Sequence, residues 1–255
     1  MTLDGRPYTV LSLRPGVLST FATNRYHETW HLLTDIPGAQ LLGRLFWAMA
    51  FQRHERTIML LDQEFLVPNP FDADPSSPIA FVNSDLGPLG RPALSDLKGM
   101  LPFTTPSAGT VVLQTRGLDI ALEDESAFYR REEKAGWRWN EHQQRRWIDR
   151  TNGIVVVAAP PPVLRMWGVQ TSALGRHSRR GTDVAELDYP TSNGEVQVLD
   201  DFEARVSNAR RARESLFPGR SNEELTDDER AHVWQQGDVI AAPPHVAGGG
   251  GDRGR

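Results

Sequence analysis

Apolar positions in this chain fall into two kinds of run. Thr57 to Leu61, Ile79 to Asn83 and Ile154 to Ala158 are short, rich in aliphatic residues and closed by polar or turn-forming neighbours. That is the pattern of strands covered on both faces. Elsewhere apolar residues recur every three or four positions, as on a helix with one buried stripe.

Tyr8 to Leu13 reads as a first strand, ended by Arg14-Pro15-Gly16. Tyr26, Trp30 and Leu33 then stand at i, i+4 and i+7, predicting a helix from about Asn24 that Pro37-Gly38 breaks. A second helix, Ala39 to His54, is apolar almost all round, which predicts burial on more than one side. Val67 to Pro78 holds four prolines and reads as a loop, with Asp72-Ala73-Asp74 a solvated turn. Ser95 to Met100 is a turn or two of helix.

The stretch from Gly109 to Ala159 reads as a strand–helix–strand unit. Thr110 to Leu113 and Ile154 to Ala158 are its strands. The crossover, Asp124 to Arg150, divides at Gly136 into helices Asp124–Ala135 and Trp137–Arg150, because glycine inside a helix costs about 1 kcal/mol relative to alanine. Val163 to Val169 is apolar but short. Thr171 to Asn193 turns polar and carries Arg176, Arg179 and Arg180, and Glu195 to Leu199 alternates like an edge strand. Asp200 to Leu216 places Phe202, Val206 and Ala209 on one helical face, with Arg205, Arg210, Arg211 and Arg213 outside it. Thr226 and Glu229 have capping-box spacing, as do Ser221 and Glu224, and from Gly237 the composition is that of a disordered tail.

Strands separated by helical segments predict an α/β layered core with a mostly parallel sheet over residues 1–170. A polar arm (171–199), a helical C-terminal appendage (200–237) and a tail (238–255) follow. At 255 residues the chain can bury a large core, and 39% apolar with 24% charged residues is ordinary for a globular protein. A net charge of -5 argues against neutralising phosphate as the main task. The absence of cysteine removes disulfides, thiolate metal sites and cysteine nucleophiles. With neither a secretory signal pattern nor a membrane-length apolar run, the expectation is a cytoplasmic protein with no membrane partner.

Three chemical leads emerge. His27-Glu28-Thr29-Trp30-His31 has the HExxH form. On a helix, i and i+4 put both imidazoles on one face, able to share a zinc ion, with the glutamate placed to polarise its water. The motif resembles the active-site helix of zincin-type metallopeptidases. That resemblance implies His27 and His31 as Zn²⁺ ligands, Glu28 as general base, and a third ligand such as Glu55 or Glu64. Thr34 and Pro37 stand where the longer form of the motif has glycine and histidine.

The second lead is positional: residues just past the strands, Asp62, Glu64, Asp85 and Arg116, would meet at the carboxyl ends of a parallel sheet and hold Mg²⁺ and phosphate. The third is basic surface. Arginines interleave with aromatics between Phe128 and Trp147 but are nearly balanced by acids, whereas the 176–180 arm and the 205–213 helix are better placed to meet nucleic acid. Walker A, GxGxxG and GxSxG patterns are absent. The leading expectation is therefore an interaction or regulatory protein acting through a protein partner by way of its arm and last helices. A zinc-dependent metallohydrolase is the alternative, and a phosphate- or nucleic-acid-acting protein the third.

Overall fold

The computed structural model describes residues 1–87, 89–104, 107–135, 145–176, 182–187, 193–220 and 223–242. The chain begins with a small ribbon, β1 (Thr2–Leu3) and β2 (Arg6–Pro7), then β3 (Thr9–Ser12), β4 (Phe21–Tyr26) and β5 (Thr29–Thr34). Helix α1 (Ile36–Ala50), β6 (Thr57–Leu61), β7 (Ile79–Asn83) and α2 (Arg91–Gly99) follow. Next come α3 (Leu118–Glu123), α4 (Glu125–Lys134), β8 (Trp147–Thr151), β9 (Ile154–Ala159) and α5 (Pro161–Ala173). The described chain closes with β10 (Thr182–Glu186), β11 (Gly194–Leu199), α6 (Phe202–Leu216) and α7 (Asp227–Ala241).

Two sheets carry the fold. One has the order β3-β6-β7-β9-β8, the other β10-β11-β5-β4. Between them lie α1 and α5: Leu42 and Phe46 of one, Val163 and Trp167 of the other, share a core with Met59, Phe81 and Val157 on one side and Leu32, Val196 and Val198 on the other. The helices touch through glycines. A Cβ on Gly43 would stand 2.0 Å from Ser172 Oγ and 2.7 Å from the Gly168 carbonyl. On the outer face of the five-stranded sheet, Leu94 and Leu97 of α2 and Leu3 and Tyr8 cover Ile58, Leu60 and Val156. On the outer face of the four-stranded sheet, Phe202 and Val206 of α6 cover Ala22, Leu33 and Leu199.

The fold is mixed α/β, and its sheets are mixed as well. The β3–β6, β7–β9 and β5–β11 pairings are parallel, while β1–β2, β4–β5, β6–β7, β8–β9 and β10–β11 are antiparallel. Two-residue hairpins account for three of the antiparallel pairs, β1–β2, β4–β5 and β8–β9. Asn152-Gly153 turns β8 into β9 with φ of 51° and 76°, the left-handed pair that a type I′ turn requires.

Several local expectations change. Pro37-Gly38 opens α1 instead of ending a helix: Asp35 accepts a hydrogen bond from Gly38 N at 2.8 Å, and proline suits a first turn, which has no intrahelical use for its missing N–H. Thr110 to Leu113 forms no strand, and Val111 and Val112 are exposed. The first helix of the crossover forms as α4, with Asp124 as its N-cap, but Trp147 to Arg150 is strand, and 136–144 lies outside the described residues. Glu195 to Leu199 is flanked on both sides, so β11 is interior. Residues 182–186 of the polar arm are the strand β10. Arg179, Arg180, Ser221 and the tail from 243 lie outside the described residues. The C-terminal region is helical as expected, yet it is built onto the sheet rather than appended to it.

Candidate functional site

The segment spelled HETWH is a β-hairpin. Tyr26 pairs with Thr29, and His27 and Glu28 form the two-residue turn with φ of 46° and 67°. Glutamate is not favoured at positive φ and His-Glu is not one of the usual type I′ dipeptides, so composition gives little hint of this turn. His27 therefore sits at a loop tip while His31 lies inside β5, two residues past the start of that strand. The helical face on which both imidazoles would share an ion is absent.

Glu55 lies past the far end of α1, a helix about 22 Å long, and faces Arg56 at 3.8 Å. Among the described residues no three His, Asp or Glu side chains are grouped to hold a metal. The residues do not fit the zinc site that the motif implies.

The phosphate constellation does not assemble either. β6 and β7 run antiparallel, so Asp62 and Asp85, each just past a strand's carboxyl end, lie at opposite ends of this strand pair. Asp62 is buried beside the short 3₁₀ turn Gln63–Phe65, and Glu64 is exposed on that turn. Asp85 pairs with Arg145. Arg116 is exposed ahead of α3, and its carbonyl accepts from Trp47 Nε1 at 3.2 Å.

What the fold does assemble is a cleft of about 950 Å³ on the outer face of the four-stranded sheet. Its floor includes His31 and Gln197, its wall is the Asn69–Ser77 loop, and its rim is formed by the hairpin turn and α7. Strand alternation explains the floor. Trp30 and Leu32 face α1 and α5, so His31 faces outward, opposite Glu195 on β11. His31 Nε2 lies 3.1 Å from Glu195 Oε1, and the Gln197 amide donates to the same oxygen. Burial lowers the His31 pKa, with Glu195 opposing. The ring is thus neutral near pH 7, its Nε2–H donating to Glu195 and its Nδ1 a lone-pair acceptor. That Nδ1 is buried without a partner.

The wall is the segment expected to be a solvated turn, and it is the reverse. Asp72 and Asp74 are 5% and 6% exposed. Locally the loop folds on itself: Asn69 Oδ1 accepts from Phe71 N at 2.9 Å, and Asp72 Oδ1 from Asp74 N at 2.8 Å. Burial comes from far along the chain. Arg213 of α6, only 3% exposed, donates from Nη1 to Asp74 Oδ1 at 2.8 Å. Its other donors reach the carbonyls of Arg220 and Glu223. Arg230 of α7 brings Nη2 to 2.6 Å from Asp74 Oδ2. So Asp74 is neutralised from two helices, whereas Asp72 is buried beside it and its pKa rises to about 6, chiefly by desolvation.

The rim is aromatic: Tyr26 and Trp234 are 53% and 44% exposed, and Trp234 lies 5.4 Å from Phe71 between ring centroids. Of the residues singled out from sequence, His27, Glu28 and His31 meet in this cleft, in roles unlike those first expected. Asp72, Gln197 and Trp234 join them, with Glu195 behind His31 and Gln197. No family model, curated protein or solved structure matches the chain.

Proposed function

We propose that this chain works by recognition, as a cytoplasmic interaction or regulatory protein that takes a segment of a partner polypeptide into the cleft between the β4–β5 hairpin, the Asn69–Ser77 loop and α7. The observation that carries this reading is the pairing of exposed Tyr26 and Trp234 at the rim with buried, partly unsatisfied polar groups beneath them. Large aromatics around a polar floor are the usual anchors of an interface, and concave sites with a few convergent polar groups are the usual place for a ligand. Arg213 and Arg230 fix the wall against two helices, so the site is held in shape before anything binds.

The alternatives have less support. A zinc hydrolase would need a helix where β4 and β5 stand. For nucleic acid, Arg205 is paired with Asp201 and Arg213 is interior, which leaves Arg210 and Arg211 as the exposed cations of α6. No described helix is long and apolar enough to cross a membrane.

Point substitutions are the right probe, because truncation after residue 169 would remove β11 from the middle of its sheet. Affinity capture from source cells should recover a partner with the wild-type chain and with Arg211→Glu, and lose it with Tyr26→Glu/Trp234→Glu. Undiminished capture by the doubly substituted rim would refute the reading.

A further inference from the structure

The chemistry of what enters the cleft can be read from which groups there are left unsatisfied. Glu195 is already engaged by two donors, His31 Nε2 and the Gln197 amide nitrogen. Each of those side chains therefore turns its acceptor elsewhere: His31 its Nδ1, buried and unpartnered in a residue only 7% exposed, and Gln197 its amide oxygen. Asp72 uses Oδ1 on the Asp74 backbone, which leaves the second carboxylate oxygen at the cleft wall.

Charge points the same way. Among the lining residues Asp74 is matched by Arg213 and Arg230, and Glu224 by Arg150 at 3.0 Å. Glu28, Asp149 and Asp227 are set against Arg25, and Asp72 shares the field of Arg213 and Arg230 with Asp74. Arg25 itself lies over the Trp30 ring, 5.8 Å from its centroid. Trp30, which packs in the core with α1 and α5 and also reaches the cleft lining, carries one unpaired buried donor, Nε1, against these acceptors.

An excess of acceptors and carboxylates under exposed aromatic rings complements a donor-rich, flat cation. We infer that the cleft selects a cationic side chain of the partner, arginine above all, with Asp72 and His31 Nδ1 receiving its N–H groups and Trp234 flanking its plane. A guanidinium supplies five donors in a fixed fork and stacks on aromatic rings, whereas an ammonium offers a compact point charge. Asp72 is also a buried carboxyl whose ionisation opposes folding, and carboxyls perturbed by burial at the wall of a cleft are common at binding sites.

This inference rests on the cleft being a polypeptide site, and its test is independent of the capture experiment. The capped peptide Gly-Ser-Arg-Arg-Ser-Gly is titrated into the full chain while the indole N–H resonance of Trp234 is followed by NMR. The same sequence with citrulline, a neutral isostere, or glutamate in place of arginine serves for comparison. The arginine peptide should shift Trp234 saturably, and the other two should bind at least tenfold more weakly. Asp72→Asn should weaken the arginine peptide at least tenfold, while Asp119→Asn, which removes an exposed charge on α3, should stay within twofold of wild type. Absence of a shift, equal binding of the citrulline peptide, or indifference to Asp72→Asn would overturn the inference. If capture is still lost in the rim variant, polypeptide recognition survives and only the cation preference falls.

Discussion

Replacing Arg213 with methionine keeps the apolar stem and removes the guanidinium that fastens α6 to the cleft wall. Four partners are then lost: Asp74 Oδ1 at 2.8 Å, the Asp72 carbonyl at 3.5 Å, the Arg220 carbonyl at 2.8 Å from Nη2, and the Glu223 carbonyl. All lie around a residue 3% exposed, where water replaces lost partners poorly. Breaking one side of a buried ion pair costs about 3–5 kcal/mol, because the remaining charge is left uncompensated. Asp74 keeps Arg230 and the Leu225 amide, so the lower half of that range applies, but each orphaned carbonyl adds about 1 kcal/mol or more. An overall loss of about 4 kcal/mol corresponds to a fall in Tm of roughly 8–16 °C for a chain of this size. Urea unfolding at pH 7 measures it, with Arg211→Met, two residues away and exposed, as the control expected within about 0.5 kcal/mol. Adding Asp74→Asn to Arg213→Met should cost less than the sum of the single changes, since both remove the same Arg213–Asp74 contact. If Arg213→Met unfolds within 1 kcal/mol of wild type, the claim that this residue organises the cleft wall is wrong.

Three more outcomes follow from the same geometry. Burial raises the Asp72 pKa from 3.8 to about 6, so the folded chain holds that proton more tightly than the unfolded one and stability falls as pH rises between those values. At about 1.4 kcal/mol per unit, the loss is about 3 kcal/mol. Asp72→Asn should match wild type near pH 4 and exceed it above pH 6.5, and a difference that is flat across this range would contradict the assignment. Gly43→Ala should destabilise by about 2 kcal/mol in thermal unfolding, because its Cβ meets Gly168 and Ser172 backbone at 2.7 and 2.8 Å. Gly99→Ala, with nothing within 4 Å, should be harmless. Changing the turn with His27→Asn/Glu28→Gly should raise stability by about 1–2 kcal/mol, since both positions have positive φ; a loss would mean that these side chains support the hairpin.

Sequence legibility was uneven, for physical reasons. β6, β7 and β9 are plain in the chain because every one of their residues is buried, so no polar position interrupts the run. The capping box at Thr226 and Glu229 is present as read. β4 and β5 are hidden, because Tyr26, Trp30 and Leu33 fit a helical spacing by coincidence and His-Glu is not a turn dipeptide. The β8–β9 hairpin was within reach, since Asn152-Gly153 before a β-branched run is the strongest short hairpin signal, and it excludes a helix running to Arg150.

The cleft itself depends on distance. Asp72 and Asp74 look like ordinary loop acids until α6 and α7 return some 140 positions later in sequence. Arg213 does not lie outside the apolar stripe of α6 as expected: it stands at i+11 from Phe202, on the same side as Val206 and Ala209, so its burial follows from helical period.

The most direct test of partner recognition in the cleft is site-specific photocrosslinking in source cells. Trp234 is replaced by p-benzoylphenylalanine, and Leu18, which is 94% exposed and away from the cleft, is replaced likewise in a second chain. A discrete adduct from position 234, absent from position 18 and lost with Tyr26→Glu, is the expected result. No adduct at 234, or the same adduct from both positions, would contradict recognition at this site.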